Sequence, residues 1–186
     1  MRLGIKGKQV LGVTTIVGAV VVVLSLMHLA GLAEVSLAES HARAELLGNA
    51  ITHRAHEVDV GNIDPFQALR ADPGLRSILE ASLYGNDVTS AAIVDEQGIA
   101  VMNADPSQEQ LPVHVAADLN ELLASSEFRK LTTIYRDQGR NLDYSTPLLL
   151  GDRPIGSVRI GVSTLLIRRD LNRSLGPAVI DRKSVV

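Results

Sequence analysis

The side chains that could do chemistry are few: five histidines, three tyrosines and no cysteine in 186 residues. Without cysteine there is no disulfide scaffold, no thiolate-bound zinc, no iron–sulfur cluster and no thiol nucleophile. His53 and His56, three apart with Glu57 beside them, place two imidazoles on one helix face, a spacing that suits a divalent cation. No third ligand stands at a defined spacing, and the order His-x-x-His-Glu matches no zinc-hydrolase motif. A solvated polar face is the expected role. Serine, histidine and aspartate all occur, yet there is no Gly-x-Ser-x-Gly elbow and no glycine-rich phosphate loop. Asp95 and Glu96 sit where a hairpin turn is expected, a place where acids are ordinary. The residues therefore point to no catalytic group, no metal and no cofactor. Binding is the remaining chemistry.

Composition says where such a site would sit. The chain is 46% hydrophobic and only 3% aromatic, with net charge −3 and an isoelectric point near 5.9. That acidity argues against nucleic acid as a partner. The greasiness is concentrated in residues 10–33, which carry no charge except a protonatable His28. About 20 apolar residues cross a hydrocarbon core of ~30 Å, so this stretch is long enough to span. Arg2, Lys6 and Lys8 precede it and the first acid is Glu34, so charge bias places residues 1–9 in the cytoplasm and residue 34 onward outside. A cleaved signal peptide ending at Ala33 is the rival; an uncleaved anchor is expected because signal cores run about 7–15 residues. His28 lies close enough to the outer end for a neutral imidazole to reach the headgroups, and Thr14 with Gly18 forms a weak helix-packing pair. Setting aside the two termini, the outer region carries thirteen Lys and Arg against twenty acids.

Residues 34–58 lack proline and carry Leu37, Ala44, Ile51 and Val58 at seven-residue steps, with Leu47 and Ala55 on the same side. This predicts a stalk helix continuous with the membrane span, its stripe suited to a parallel partner helix or to packing across one domain. Asp64-Pro65 and Asp72-Pro73-Gly74 each predict a helix start, the second helix running to about Leu83. Residues 88–95 and 99–103 flank Glu96-Gln97-Gly98 as a hairpin, with Gly98 at the left-handed turn position. A helix over 116–127 and three strands over 131–136, 142–150 and 154–162 follow, with turns at 138–141 and 151–152 and a closing helix at 163–175. Pro147 within a strand predicts an edge position or a bulge. The expected fold class is α+β: one long N-terminal helix, then a five-stranded antiparallel sheet with helices on one face and a C-terminal helix.

This order of elements resembles the single-Cache, PAS-like extracytoplasmic sensor domains of bacterial transmembrane receptors. Three features carry the resemblance over about residues 10–175: the membrane helix running into a long first helix, the hairpin from Ala91 to Val101, and the end from Thr146 to Ser163, where the last strand feeds a helix returning to the membrane. The N-terminal segment looks more like the input end of a sensor histidine kinase than of a chemoreceptor or diguanylate cyclase. The resemblance implies a small-molecule ligand between the sheet and the segments covering it, for which Tyr84, His114, Tyr135, Arg136 and Tyr144 are candidates. An arginine there would hold a carboxylate through its planar fork, whereas Arg136 and Arg159 would otherwise face water from a strand. The stripe on the stalk predicts a homodimer through it, the charge bias predicts location in the cytoplasmic membrane with residues 34–175 outside, and the resemblance implies a second membrane helix beginning near 176–180. Residues 181–186 resemble a translated sequencing adapter, so the chain is expected to be a truncated receptor whose kinase lies beyond it. An anchored or secreted periplasmic binding or structural protein without an output domain is the alternative.

Overall fold

The computed structural model describes residues 5–58, 64–84, 88–135, 139–150 and 153–175. The expected turn at 151–152, Arg136 and the residues beyond 175 lie outside the described residues.

Helix α1 is unbroken from Ile5 to Glu57, 53 residues, about 80 Å at 1.5 Å rise per residue. Its two ends have different surroundings. Residues 9–28 are exposed throughout and form one stretch long and apolar enough, by length and composition, to cross a membrane. From Ala30 onward one face is buried: Ala33, Leu37, Ala44 and Ile51 are fully enclosed, and Ala55 nearly so. The seven-residue stripe is therefore consumed by packing within the chain. The small alanines let α1 approach the sheet closely; at Gly48 a β-carbon would stand 3.1 Å from Cε1 of Tyr144.

Helices α2 (Pro65–Ala71) and α3 (Pro73–Ser82) start where the Asp-Pro pairs predict. Asp64 accepts a hydrogen bond from the Gln67 amide at 3.2 Å and Asp72 from the Leu75 amide at 2.7 Å, each satisfying a free first-turn donor. Leu75 and Leu79, one turn apart, enter the core. Strands β1 (Val88–Asp95) and β2 (Ala100–Asn103) form the expected hairpin. Asp95 Oδ1 accepts from the amides of Gln97 and Ile99, and Gly98 takes φ 80°, a region costly for any residue with a β-carbon.

The middle of the chain differs from expectation. Residues 131–136 were expected as a strand, but α5 runs from Glu127 to Tyr135. The β-branched run Thr132-Thr133-Ile134 favours a strand locally; burial of Lys130 and Ile134 against α1, one turn apart, selects the helix. The expected helix over 116–127 splits into a two-residue strand β3 (Ala117–Asp118) and the short α4 (Leu119–Leu123), capped by Asp118. β3 runs parallel to β4 (Asn141–Leu150), and β5 (Arg153–Ser163) pairs antiparallel with both β4 and β1. The sheet is thus mixed rather than wholly antiparallel, five-stranded in the order β2-β1-β5-β4-β3. Because β3 covers only Leu142 and Asp143, Pro147 lies on a stretch of β4 with one open edge, beside a bulge at Leu148 and Leu149.

Ala91, Ile93, Leu142, Leu148, Val158, Ile160 and Val162 turn one sheet face toward α1 and α3, and one continuous core results. Arg54 of α1 clamps Asp72 through Nε at 3.2 Å and Nη2 at 2.8 Å, tying α1 to the cap of α3. β5 leads directly into α6 (Thr164–Leu175), whose Ile167 and Leu171 join the core that holds Ala33 and Leu37.

Candidate functional site

The opposite sheet face carries the site. Side chains alternate along a strand, so Asp143 and Ser145 of β4, Arg159 and Gly161 of β5, and Ser90 and Ala92 of β1 share that face. The segment from Asn103 to Ala116 closes over it. Ala104 donates to the Ala91 carbonyl at 2.8 Å, Gln110 to Ala100 at 2.8 Å and Val113 to Gly98 at 2.9 Å, so the segment first bonds β1 and then runs back along β2 and the hairpin turn. Arg76 holds Glu109 at 3.1 Å and fixes the segment to α3. Gln110 takes φ 62°, an uncommon left-handed conformation for a non-glycine residue. The chain then crosses to β4, where Ala116 donates its amide to Asp143 Oδ2 at 3.0 Å.

Between the crossing segment and the sheet lies a cavity of about 410 Å³, bordered by Thr89, Ser90, Asn103, His114, Asn141 and Asp143 among others. Its rim includes Asp105, which caps a single 3₁₀ turn and accepts from Ser107 Oγ at 2.7 Å and the Ser107 amide at 3.0 Å. These bonds, the hydroxyl first, hold the Asp105 carboxyl below its ordinary value and keep it ionised. Gly161, opposite both Ser90 and Asp143, has no side chain to give: a β-carbon there would run into Ser90 Oγ.

One row along β5, Arg159 stands between Ala92 and Ser145. Its Nε and Nη1 are buried and make no hydrogen bond. The side chain as a whole is half-buried, with these two atoms on its enclosed side. A buried donor without an acceptor costs about 1–3 kcal/mol and more when charged, so the guanidinium is held ready for an acceptor. The cavity end therefore offers carboxylates and hydroxyls, and the neighbouring row offers guanidinium donors.

Of the sequence candidates, His114 borders the cavity. Tyr84 is 90% exposed beside Leu83, which does border it. Tyr144 points the other way, into the core, its ring edge-on to His41 at 5.4 Å; burial, then the charge of Glu45, raises its pKa. Tyr135 also packs on the core side and donates to Asn172 Oδ1 at 3.4 Å. Arg136 lies outside the described residues. Asp143, Ser90, Thr89, Asn103 and Asp105 were missed because the candidates were chosen by residue type. The usable signal was parity: Asn141, Asp143 and Ser145 alternate with Leu142, Tyr144 and Thr146.

His53 and His56 do not converge. His53 faces Glu57 at 3.6 Å, while His56 Nε2 lies 2.8 Å from the Leu149 carbonyl oxygen. No group of three or more metal-ligating side chains occurs among the described residues.

No protein-family model matches this chain, and no curated protein matches it.

Proposed function

We propose that this chain is the membrane-anchored, extracytoplasmic ligand-sensing input module of a bacterial signal-transduction receptor, single-Cache or PAS-like in kind, and the N-terminal part of a sensor histidine kinase. The observation that carries this reading is the continuity of α1, whose exposed apolar half and core-forming half are one helix. Any shift of the sheet against α1 is thereby a shift of the membrane segment. β5 passes the groove at Gly161 and leads without a break into α6, a second element that could relay such a shift.

The ligand is a small molecule with a carboxylate for Arg159 and hydroxyl or ammonium groups for Asp143 and its neighbours. A charge-assisted N–H···O bond from a guanidinium to a carboxylate is shorter and stronger than one between neutral groups. Ligand binding moves the module between packings only by its difference in affinity for them. A thermal-shift screen of the detergent-solubilised chain against small carboxylates tests the site. Stabilisation by one of them, lost in Arg159→Gln, supports it; no carboxylate giving a shift at millimolar concentration refutes it.

The homodimer uses the outward face of α1. Val35, Ala42 and Leu46 lie opposite Leu37, Ala44 and Ile51, and Val35 and Leu46 are among the most exposed apolar residues above the membrane segment. The stripe first expected to dimerise is already occupied.

A further inference from the structure

The folded region reaches down onto the last turn of the apolar segment. Ala30 and Ala33 are buried, at 6% and 0% exposure, although residues 9–28 beneath them are bare. No spacer separates domain and membrane segment. Two helices form the lower surface. Lys130 of α5, itself buried, reaches Glu34 at 3.3 Å, and Glu34 is the first charge after residue 33. α1 and β4 ascend together, with His41 at Tyr144 and His56 at Leu149, so β5 descends and α6 continues downward beside the base of α1. Tyr135 and Asn172 link α5 to α6 at that level.

What these helices present is unlike the rest of the domain. Phe128, one of only two phenylalanines, is 76% exposed two residues before Lys130, and Leu165 is 41% exposed. Arg129, Arg169 and Arg173 are exposed on these two helices, Arg129 reaching Glu121 at 3.5 Å, and α5 and α6 together hold five Lys and Arg against two acids in a chain of net charge −3. An exposed aromatic ring on a pair of helices rich in arginine, in an acidic protein, is the pattern of a surface that lies in a membrane interface.

We propose that α5 and α6 form a foot that rests on the anionic phospholipid surface of the membrane holding α1, with the Phe128 ring at the boundary between headgroups and acyl chains and Arg169 and Arg173 on lipid phosphates. This rests on the anchor reading above. The foot fixes the tilt of the domain on the bilayer, so that movement of the sheet is delivered to α1 as rotation or piston displacement instead of being lost in rocking.

The chain has no tryptophan, so each introduced one reports alone. The experiment uses the full chain in nanodiscs of phosphatidylcholine with phosphatidylglycerol, with and without brominated acyl chains, carrying Val22→Trp, Phe128→Trp or Leu46→Trp. Val22 lies in the apolar segment, and Leu46 stands twelve residues beyond Glu34, about 18 Å up the helix. We expect bromine quenching for Val22→Trp and Phe128→Trp, and none for Leu46→Trp. Quenching at Phe128→Trp should fall in high salt, in phosphatidylcholine alone, and on adding Arg169→Glu with Arg173→Glu. Quenching of Val22→Trp without any of Phe128→Trp overturns the foot while leaving the anchor standing. Absence of both overturns the anchor and the foot with it. Quenching at Phe128→Trp that ignores salt, lipid charge and the two arginines overturns the assignment to anionic lipid.

Discussion

Arg159 is the residue whose burial is hardest to explain by packing alone, since Nε and Nη1 lie enclosed without an acceptor. Replacing it with an unbranched apolar side chain removes two enclosed donors that have no acceptor. Arg159→Met should therefore raise the melting temperature of the unliganded protein, by an amount equivalent to about 1–3 kcal/mol, while abolishing any carboxylate-induced rise. Calorimetry of the two proteins with and without ligand decides; a less stable unliganded Arg159→Met would mean the guanidinium is already satisfied. The Arg54–Asp72 clamp gives an opposite case. Asp72 has its carboxyl pKa lowered, first by the Arg54 hydrogen bond, with burial opposing and the Leu75 amide assisting. A folded-state pKa below the unfolded one contributes stability that is fully present above the ordinary aspartate value and is lost as pH falls through the folded value. Asp72→Asn should thus be less stable than the native chain near neutrality, and the gap should close on acidification. Melting curves at several pH values test this, a gap constant down to the acid limit being the contrary result. Both residues show how far type and spacing carry. The Asp72 cap was legible because its partner amide is three residues away; the state of Arg159 depends on Ala92 and Ser145, far off in sequence.

At the scale of elements, local signals located α2, α3, the β1–β2 hairpin, β4, β5 and α6. Each has its period, cap or turn residue within a few positions. α5 was misread because Thr132, Thr133 and Ile134 favour a strand, while what selects the helix is distant: the contact of Lys130 with Glu34 and the enclosure of Ile134. β3 is two residues long and has no pattern of its own; it exists because β4 offers an edge at Leu142 and Asp143. The α1 stripe was read correctly as apolar, yet whether it packs in cis or on a second copy is a tertiary question. Leu37→Ala should cost about 2–5 kcal/mol, since the side chain is fully enclosed, and a smaller loss in chemical denaturation would contradict that packing. Cysteine crosslinking separates the two faces. In membranes, Val35→Cys and Leu46→Cys should trap dimers, whereas Leu37→Cys and Ala44→Cys should not; the reverse pattern would restore the buried stripe as the dimer contact.

For the molecule as a whole, the high apolar and low aromatic content resolves into two regions joined by one helix. The exposed half of α1 is long and apolar enough to cross a membrane, and the remainder folds around the other half into an acidic α+β unit with a roofed groove. Groove, sheet, α1 and lower surface are contiguous elements of one core, and the proposal of sensing across a membrane is built on that continuity. The most direct measurement is the sidedness of that unit. The chain has no cysteine, so Ser107→Cys at the exposed groove rim and Lys6→Cys before the apolar segment can each be labelled alone with a membrane-impermeant thiol reagent in spheroplasts. We expect Ser107→Cys to be labelled in intact spheroplasts and Lys6→Cys only after lysis. Labelling of Ser107→Cys only after lysis would place the groove in the cytoplasm and contradict an extracytoplasmic sensor.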